Sequence, residues 1–342
     1  MAETRPGATL AEMRALLAEM PGPDLEAGTA VAAREAQLTK PAGALGRLEE
    51  IVQWLARWQG RAPPVVAHPR TAVFAGNHGV AAQGVSAFPA AVTAQMVQNF
   101  INGGAAVNQL CRAVDADLRV YEMALDEPTA DFTLGPAMSD EGCATAIAYG
   151  MTAVEPGVDL LALGEMGIAN TTAAAALACA LWGGAAADWV GPGTGVGGPA
   201  LDNKIAVVER GVALHRPAAG DPFELLSRLG GHELAAIVGA VMAARRARVP
   251  VLLDGYATTV AASVLKALDP HALDHCLVAH CSAEPGHRRL LQRLEMPPLF
   301  DLGMRLGEAS GATLAIALVK AALACHTGMA TFAEAEVSGR SG

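Results

Sequence analysis

Aromatic side chains are scarce in this chain, with three Tyr, seven Phe and four Trp among 342 residues. Lysine and arginine number 24 against 34 acids, which leaves a formal net charge of −10. A nucleic-acid surface needs clustered cations and stacking rings, so that class of partner is excluded and a small molecule is expected. The six cysteines, at 111, 143, 179, 276, 281 and 325, form no C-x-x-C pair. Most stand in apolar runs, where a thiol behaves as a small hydrophobe, and they read as reduced core residues. Met1–Leu17 carries acids and no central apolar block, which argues against a signal peptide and for the cytoplasm. Thr171–Ala187 is weakly polar but broken by Gly183 and Gly184, so no transmembrane helix is expected.

What is present is a hydrophobic chain, 52% apolar and 17% charged, able to bury a large core. Apolar strand-like runs, Gly-rich turns and helix-like runs follow one another repeatedly, which predicts an α/β fold: a parallel Rossmann-like sheet wrapped by helices. Strands are predicted at Thr71–Ala75, Leu118–Met123, Val158–Leu163, Ala187–Val190, Val249–Asp254 and His275–His280. Residues 9–60 read as helical, with apolar spacing at Leu45, Leu48, Ile51, Val52 and Leu55, and Gly307–Cys325 reads as a long buried helix. The two ends are expected to form a small helical domain, residues 1–65 plus about 305–342, with 66–304 as the large α/β domain carrying the substrate loops.

The loops after the strands should converge at one sheet edge, where such folds bind ligands. Gly164-Glu165-Met166-Gly167-Ile168-Ala169-Asn170-Thr171-Thr172 reads as a turn between strand and helix. Asn170 and Thr171 can cap the helix, and the same N–H groups suit a phosphate; Glu165 is a site acid, a cap or an ion-pair partner. Gly191-Pro192-Gly193-Thr194-Gly195-Val196-Gly197-Gly198 lets backbone N–H groups approach an anion. No strand-length run ending in an acid follows it, so it is not read as a dinucleotide loop. Lys204 supplies a countercharge or is an ordinary surface lysine. His78, after the first strand, is an acid/base candidate or hydrogen-bonded scaffold. Ser86-Ala87-Phe88-Pro89 and a helix bearing Thr93, Gln95 and Met96 are suited to wall a flat aromatic ligand. Asp254-Gly255-Tyr256 ends a strand in a single acid where magnesium–diphosphate sites carry paired acids, which favours a metal-free donor. His280-Cys281-Ser282-Ala283-Glu284-Pro285-Gly286-His287 has ligand types but no zinc spacing. Glu308, in Leu306-Gly307-Glu308-Ala309-Ser310-Gly311, opens the last helix; a helix N-terminus would lower its pKa and an apolar pocket would raise it.

Together with Thr39-Lys40-Pro41-Ala42-Gly43-Ala44-Leu45-Gly46-Arg47-Leu48-Glu49, these loops, in their order along nearly the whole chain, resemble the nicotinate-nucleotide:dimethylbenzimidazole phosphoribosyltransferase family. The resemblance implies transfer of 5-phosphoribosyl from nicotinate mononucleotide to 5,6-dimethylbenzimidazole, as part of cobalamin lower-ligand activation. The products would be nicotinate and α-ribazole 5'-phosphate, formed with inversion at C1' and without cofactor or metal. By the same resemblance Glu308 is the general base and Glu165 a second acid near the ribose. Asn170, Thr171, Gly193, Thr194, Gly195, Lys204 and Ser282 would surround the donor's phosphate and ribose, and Ser86, Phe88 and Gln95 the acceptor ring. A homodimer, with a second subunit partly closing the cleft, is implied as well. Two departures remove positive charge: Pro192 stands where the family usually has Arg, and Cys281 where a basic residue is common, with Arg288 or Lys204 as compensating cations. Other acceptors, whether a different benzimidazole, a purine or a phenol, fit the same pattern. A nucleotide-dependent oxidoreductase and a sensor that has lost the chemistry are the rival readings.

Overall fold

The computed structural model describes residues 7–338. In chain order its elements are α1 (Leu10–Ala18), α2 (Leu25–Glu35), α3 (Arg47–Gln59), β1 (Pro69–Ala75), α4 (Ala91–Ile101), α5 (Ala106–Val114), β2 (Asp117–Glu122), α6 (Asp140–Gly150) and β3 (Leu160–Met166). They continue as α7 (Asn170–Trp182), α8 (Pro199–His215), α9 (Pro222–Leu229), α10 (His232–Arg246), β4 (Val251–Leu253), α11 (Tyr256–Leu268), β5 (Cys276–Val278), α12 (Pro285–Leu294) and α13 (Ser310–Gly328).

The five strands form one parallel sheet in the order β2-β1-β3-β4-β5. Strand order therefore reverses between β1 and β3, the place where an open α/β sheet leaves a crevice beyond its carboxyl ends. The sheet is covered on both faces, as a parallel sheet must be. Along β3, Leu161 and Leu163 face a core built from α6, α7, α9, α10 and α11, while Leu160 and Ala162 face α2, α3 and α13. Apolar runs without alternation are the expected signature of strands buried on both sides.

α13 has the length and apolar composition of a membrane span, but Ala312, Ala315, Ile316 and Val319 lie fully buried in the core that it shares with α3 and the sheet. α1 packs on the other side, its Leu10, Met13 and Leu17 joining the core that includes Cys143 and Ile147 of α6. Three differences from the sequence-based elements matter. The strand predicted at Ala187–Val190 is a single 3-10 turn, Ala186–Asp188, because the Asp188 carboxylate accepts the Ala185 N–H at 2.9 Å and closes the chain on itself. Gly164, Glu165 and Met166 belong to β3 and not to the turn after it, since pairing with β1 continues to Ala75 opposite Met166. α13 begins at Ser310, so Glu308 precedes the helix instead of lying in its first turn.

Candidate active site

A cavity of about 640 Å³ opens at the carboxyl ends of the strands. Its floor is Glu165. The strand that carries it can run this deep only because residue 164 is glycine, since a Cβ there would lie 2.1 Å from the Ala309 backbone nitrogen. Asn170, first residue of α7, donates from Nδ2 to Glu165 Oε2. Burial raises the Glu165 pKa to about 8; like charge from Asp254, Glu233 and Glu308 adds to the rise, and the Asn170 hydrogen bond opposes it. Ala169, with φ 74°, turns the chain into α7, whose first residues Asn170 and Thr171 line the cavity.

Glu308 lies on the same cavity wall. Its backbone N–H donates to Glu165 O at 3.1 Å, and both Glu308 and Ala309 are left-handed, with φ of 61° and 57°. Its carboxyl is buried, and its pKa is raised to about 7, first by desolvation and then by Asp254. The competition left open by the sequence is thus decided for burial, helped by the position of Glu308 outside the helix, where the dipole acts less.

The glycine-rich loop curls over one side. Pro192 O accepts the Gly195 and Val196 N–H groups, and Gly193 N–H donates to Glu284 Oε1 at 2.9 Å. Gly193 and Thr194 line the cavity, as do Asn170, Thr171 and Ser282. Gly195, with φ 113°, is not part of the lining. Lys204 also stands back from the lining, fully buried behind Gly193. Its Nζ donates to Thr171 Oγ1 and Gly191 O, both at 2.9 Å. Desolvation lowers its pKa to about 8, with Glu284 acting the other way. Ser282 is held by its own N–H, which donates to His287 Nδ1 at 2.9 Å; burial keeps His287 neutral, its pKa pushed down to about 3.

Opposite stands an apolar wall of Phe88, Val92, Met96, Ile168 and Leu306. Val92 and Met96 face inward one turn apart on α4, whereas Gln95 points to solvent and is not part of the lining. Ser86 reaches the cavity only indirectly, with its Oγ 3.0 Å from Thr194 Oγ1. His78 is scaffold-like, since its Nε2 lies 2.7 Å from Glu233 Oε1 and both side chains are buried.

Sequence reasoning missed Arg305 and Glu233. Arg305 lines the cavity and donates from Nη1 to Gly193 O at 3.3 Å, so it is the cation at the glycine-rich loop. Arg288, by contrast, pairs with Asp301 at 2.8 Å and lies with Cys281 on a separate hollow outside the cavity. Cys281 therefore lies outside the main cavity. Proximity to Glu308 in sequence was the available signal for Arg305; Glu233, on α10, offered none. Among the described residues no group of three or more His, Cys, Asp or Glu side chains is arranged to hold a metal.

A family model described as Phosphoribosyltransferase matches residues 20–337. The nicotinate-nucleotide–dimethylbenzimidazole phosphoribosyltransferase of Sinorhizobium medicae is 58% identical over 329 residues, covering 96% of this chain and 97% of that protein. The enzyme of the same name from Brucella anthropi is 56% identical over 328 residues, with the same coverage of 96% and 97%. The crystal structure of CobT from Thermus thermophilus superposes with a TM-score of 0.86 at 42% identity, covering 92% of this chain and 99% of that one.

Proposed function

This chain belongs to the nicotinate-nucleotide:dimethylbenzimidazole phosphoribosyltransferase family, and from that premise we infer its reaction. The enzyme transfers 5-phosphoribosyl from nicotinate mononucleotide to 5,6-dimethylbenzimidazole, giving nicotinate and α-ribazole 5'-phosphate in cobalamin lower-ligand activation. One observation supports the residue roles above the rest: two buried carboxyls, Glu165 and Glu308, face a single cavity with pKa values raised to about 8 and about 7.

A ribosylated pyridinium leaves as a neutral base, taking the C1'–N electron pair with it. Its departure needs no proton and no metal. The acceptor is the harder partner, because one benzimidazole nitrogen attacks C1' while the other sheds its proton. Glu308 receives that proton, and a base whose pKa lies near the working pH is the one best matched to the task. Glu165 sits on the floor below the ribose. The cationic donor draws its pKa down, so that Glu165 is negative when oxocarbenium-like charge develops at C1'. The donor phosphate lies beside Thr171 at the start of α7 and the Gly193–Thr194 turn, flanked by Arg305 and Ser282. Lys204 holds Thr171 and Gly191 from behind, and Gly195 shapes the loop. Phe88, Val92 and Met96 form the face for the flat acceptor ring, and Ser86 fixes Thr194. Other flat bases, whether purines, phenols or further benzimidazoles, meet the same wall. The working form is a homodimer in the cytoplasm, its second subunit covering the cavity mouth so that water does not compete for C1'.

The test is nicotinate release and ribotide formation without added metal, in wild type and Glu308→Gln. Wild type should turn over, and the variant should bind donor yet lose roughly 100- to 10,000-fold in turnover, the range typical of a lost general base. A fully active Glu308→Gln overturns the assignment of the base. No product from any benzimidazole, purine or phenol overturns the transferase reading in favour of a binding protein.

A further inference from the structure

Behind Glu308 lies a buried carboxylate that the reaction as derived does not use. Asp254 directly follows β4 and is fully buried. Its Oδ1 accepts the Ala312 N–H from the first turn of α13 at 2.9 Å, and its Oδ2 has no hydrogen-bond partner. His280 Nε2 stands 3.5 Å from Oδ1 as a contact, not a hydrogen bond, and both nitrogens of this buried ring are unpartnered. The ring stacks on Phe300 with centroids 6.0 Å apart, and a Cβ on Gly311 would lie 2.1 Å from its Cδ2. Gly311 thus lets α13 begin tight against His280 and within reach of Asp254.

Two consecutive left-handed residues without glycine, Glu308 and Ala309, persist only where their surroundings hold them. The bonds around them include Glu308 N–H to Glu165 O, Ser310 N–H and Oγ–H to Gly307 O, Thr313 N–H and Oγ–H to Ala309 O, and Ala312 N–H to Asp254. The last of these ends on a carboxylate outside α13, and the Thr313 hydroxyl also meets Thr71 Oγ1 of β1 at 3.0 Å.

We propose that Asp254 is the positioning residue for the Glu308 base, pinning the first turn of α13 and placing a negative charge in the same buried cluster. This rests on the general-base reading above. The ionisable groups around Glu308 are Asp254 just past β4, Glu165 from β3, His280 beyond the end of β5, Glu284 ahead of α12 and Arg305 from its own segment. Of these Asp254 is the one that, after burial itself, holds the Glu308 pKa up. A carboxylate beside the base makes it a stronger proton acceptor and repels any anion that would sit in its place.

The experiment is the pH profile of kcat/KM for the benzimidazole, at saturating donor, in wild type, Asp254→Asn, Asp254→Ser and Glu308→Gln. Both Asp254 replacements keep an oxygen that can accept the Ala312 N–H, and the serine variant guards against failure of the asparagine variant to fold. Removing the like charge lowers the Glu308 pKa, so the acid limb should move to lower pH by about one unit. The plateau should fall roughly three- to tenfold as the base weakens, with donor Kd unchanged. A purely structural Asp254 would lower the whole profile and leave the limb in place. That result, combined with loss of the limb in Glu308→Gln, overturns the proposal alone; a limb that survives in Glu308→Gln overturns the general-base reading and the proposal with it.

Discussion

Glu165 shows how a single buried carboxyl links catalysis to stability. Its pKa is about 8 in the folded chain against an ordinary value of 4.5, so its contribution to stability is full below about pH 4.5 and is lost as pH rises through about 8. Glu165→Gln keeps the neutral shape and an oxygen for Asn170 but has no proton to lose. The difference in melting temperature, variant minus wild type, should therefore grow between pH 5 and pH 8 in the unliganded protein. A difference that stays constant across thermal melts at the two pH values would show that Glu165 is not held protonated by burial. The same residue marks the limit of reading a site from sequence. Glu165 and Glu308 stood out because each is a lone acid among glycines and small residues. Arg305 did not, because what makes it part of the site is a contact between distant elements, to the Gly193 carbonyl, and Glu233, buried against His78, acts on the site only as like charge near Glu165.

At the scale of elements, glycines decide which surfaces meet. Gly239 of α10 would put a Cβ 1.8 Å from Ile147 O, and Gly150 of α6 would put one 1.9 Å from Ala236 O, so these two helices cross backbone against backbone. Gly239→Ala must push them apart and should cost about 1–3 kcal/mol in denaturant unfolding, with the turnover of folded enzyme near wild type. Gly164→Ala strikes at a different junction, the one between β3 and Ala309. There the displaced segment carries Glu308, and a shift of about 1 Å in a catalytic group costs on the order of 100-fold in rate. Turnover should fall by about that much while circular dichroism stays unchanged; wild-type turnover would mean that the Glu308 segment relaxes without loss. All five of the sheet's strands were legible: β1, β3, β4 and β5 as apolar runs, because strands buried in the sheet need little else, and the edge strand β2 as a short run of alternating exposed and half-buried residues. The extension of β3 through Met166 was not legible, since it depends on pairing with β1, nor was the turn at Ala186–Asp188, where a local carboxylate cap overrode an apolar run. For the helical ends, we propose residues 1–65 plus about 305–342 as one unit, of which 1–6 and 339–342 lie outside the described residues. α2, α3 and α13 share a core that supports this division, although α1 docks on α6.

At the scale of the whole molecule, the cavity is deep on the sheet side and open on the other. Around its mouth Phe88 is 53% exposed and Leu306 56%, and Leu302 of the same irregular segment is 64% exposed. Scattered apolar side chains on a surface need no explanation, but two that border a cavity from which water must be kept do. An oxocarbenium-like centre is captured by any nucleophile within reach, so an open mouth would make the enzyme hydrolyse its donor. A second copy seated over this rim would bury the apolar side chains and close the cavity in one step, which is the physical case for the proposed dimer. Sedimentation should therefore give a two-chain particle. Leu302→Asp lies outside the cavity lining, places a charge on the rim, and should shift the protein toward single chains. In that form nicotinate release should outrun ribotide formation, because water then reaches C1' before the benzimidazole does. If single chains formed in this way still coupled the two products one to one, closure would have to come from within the chain.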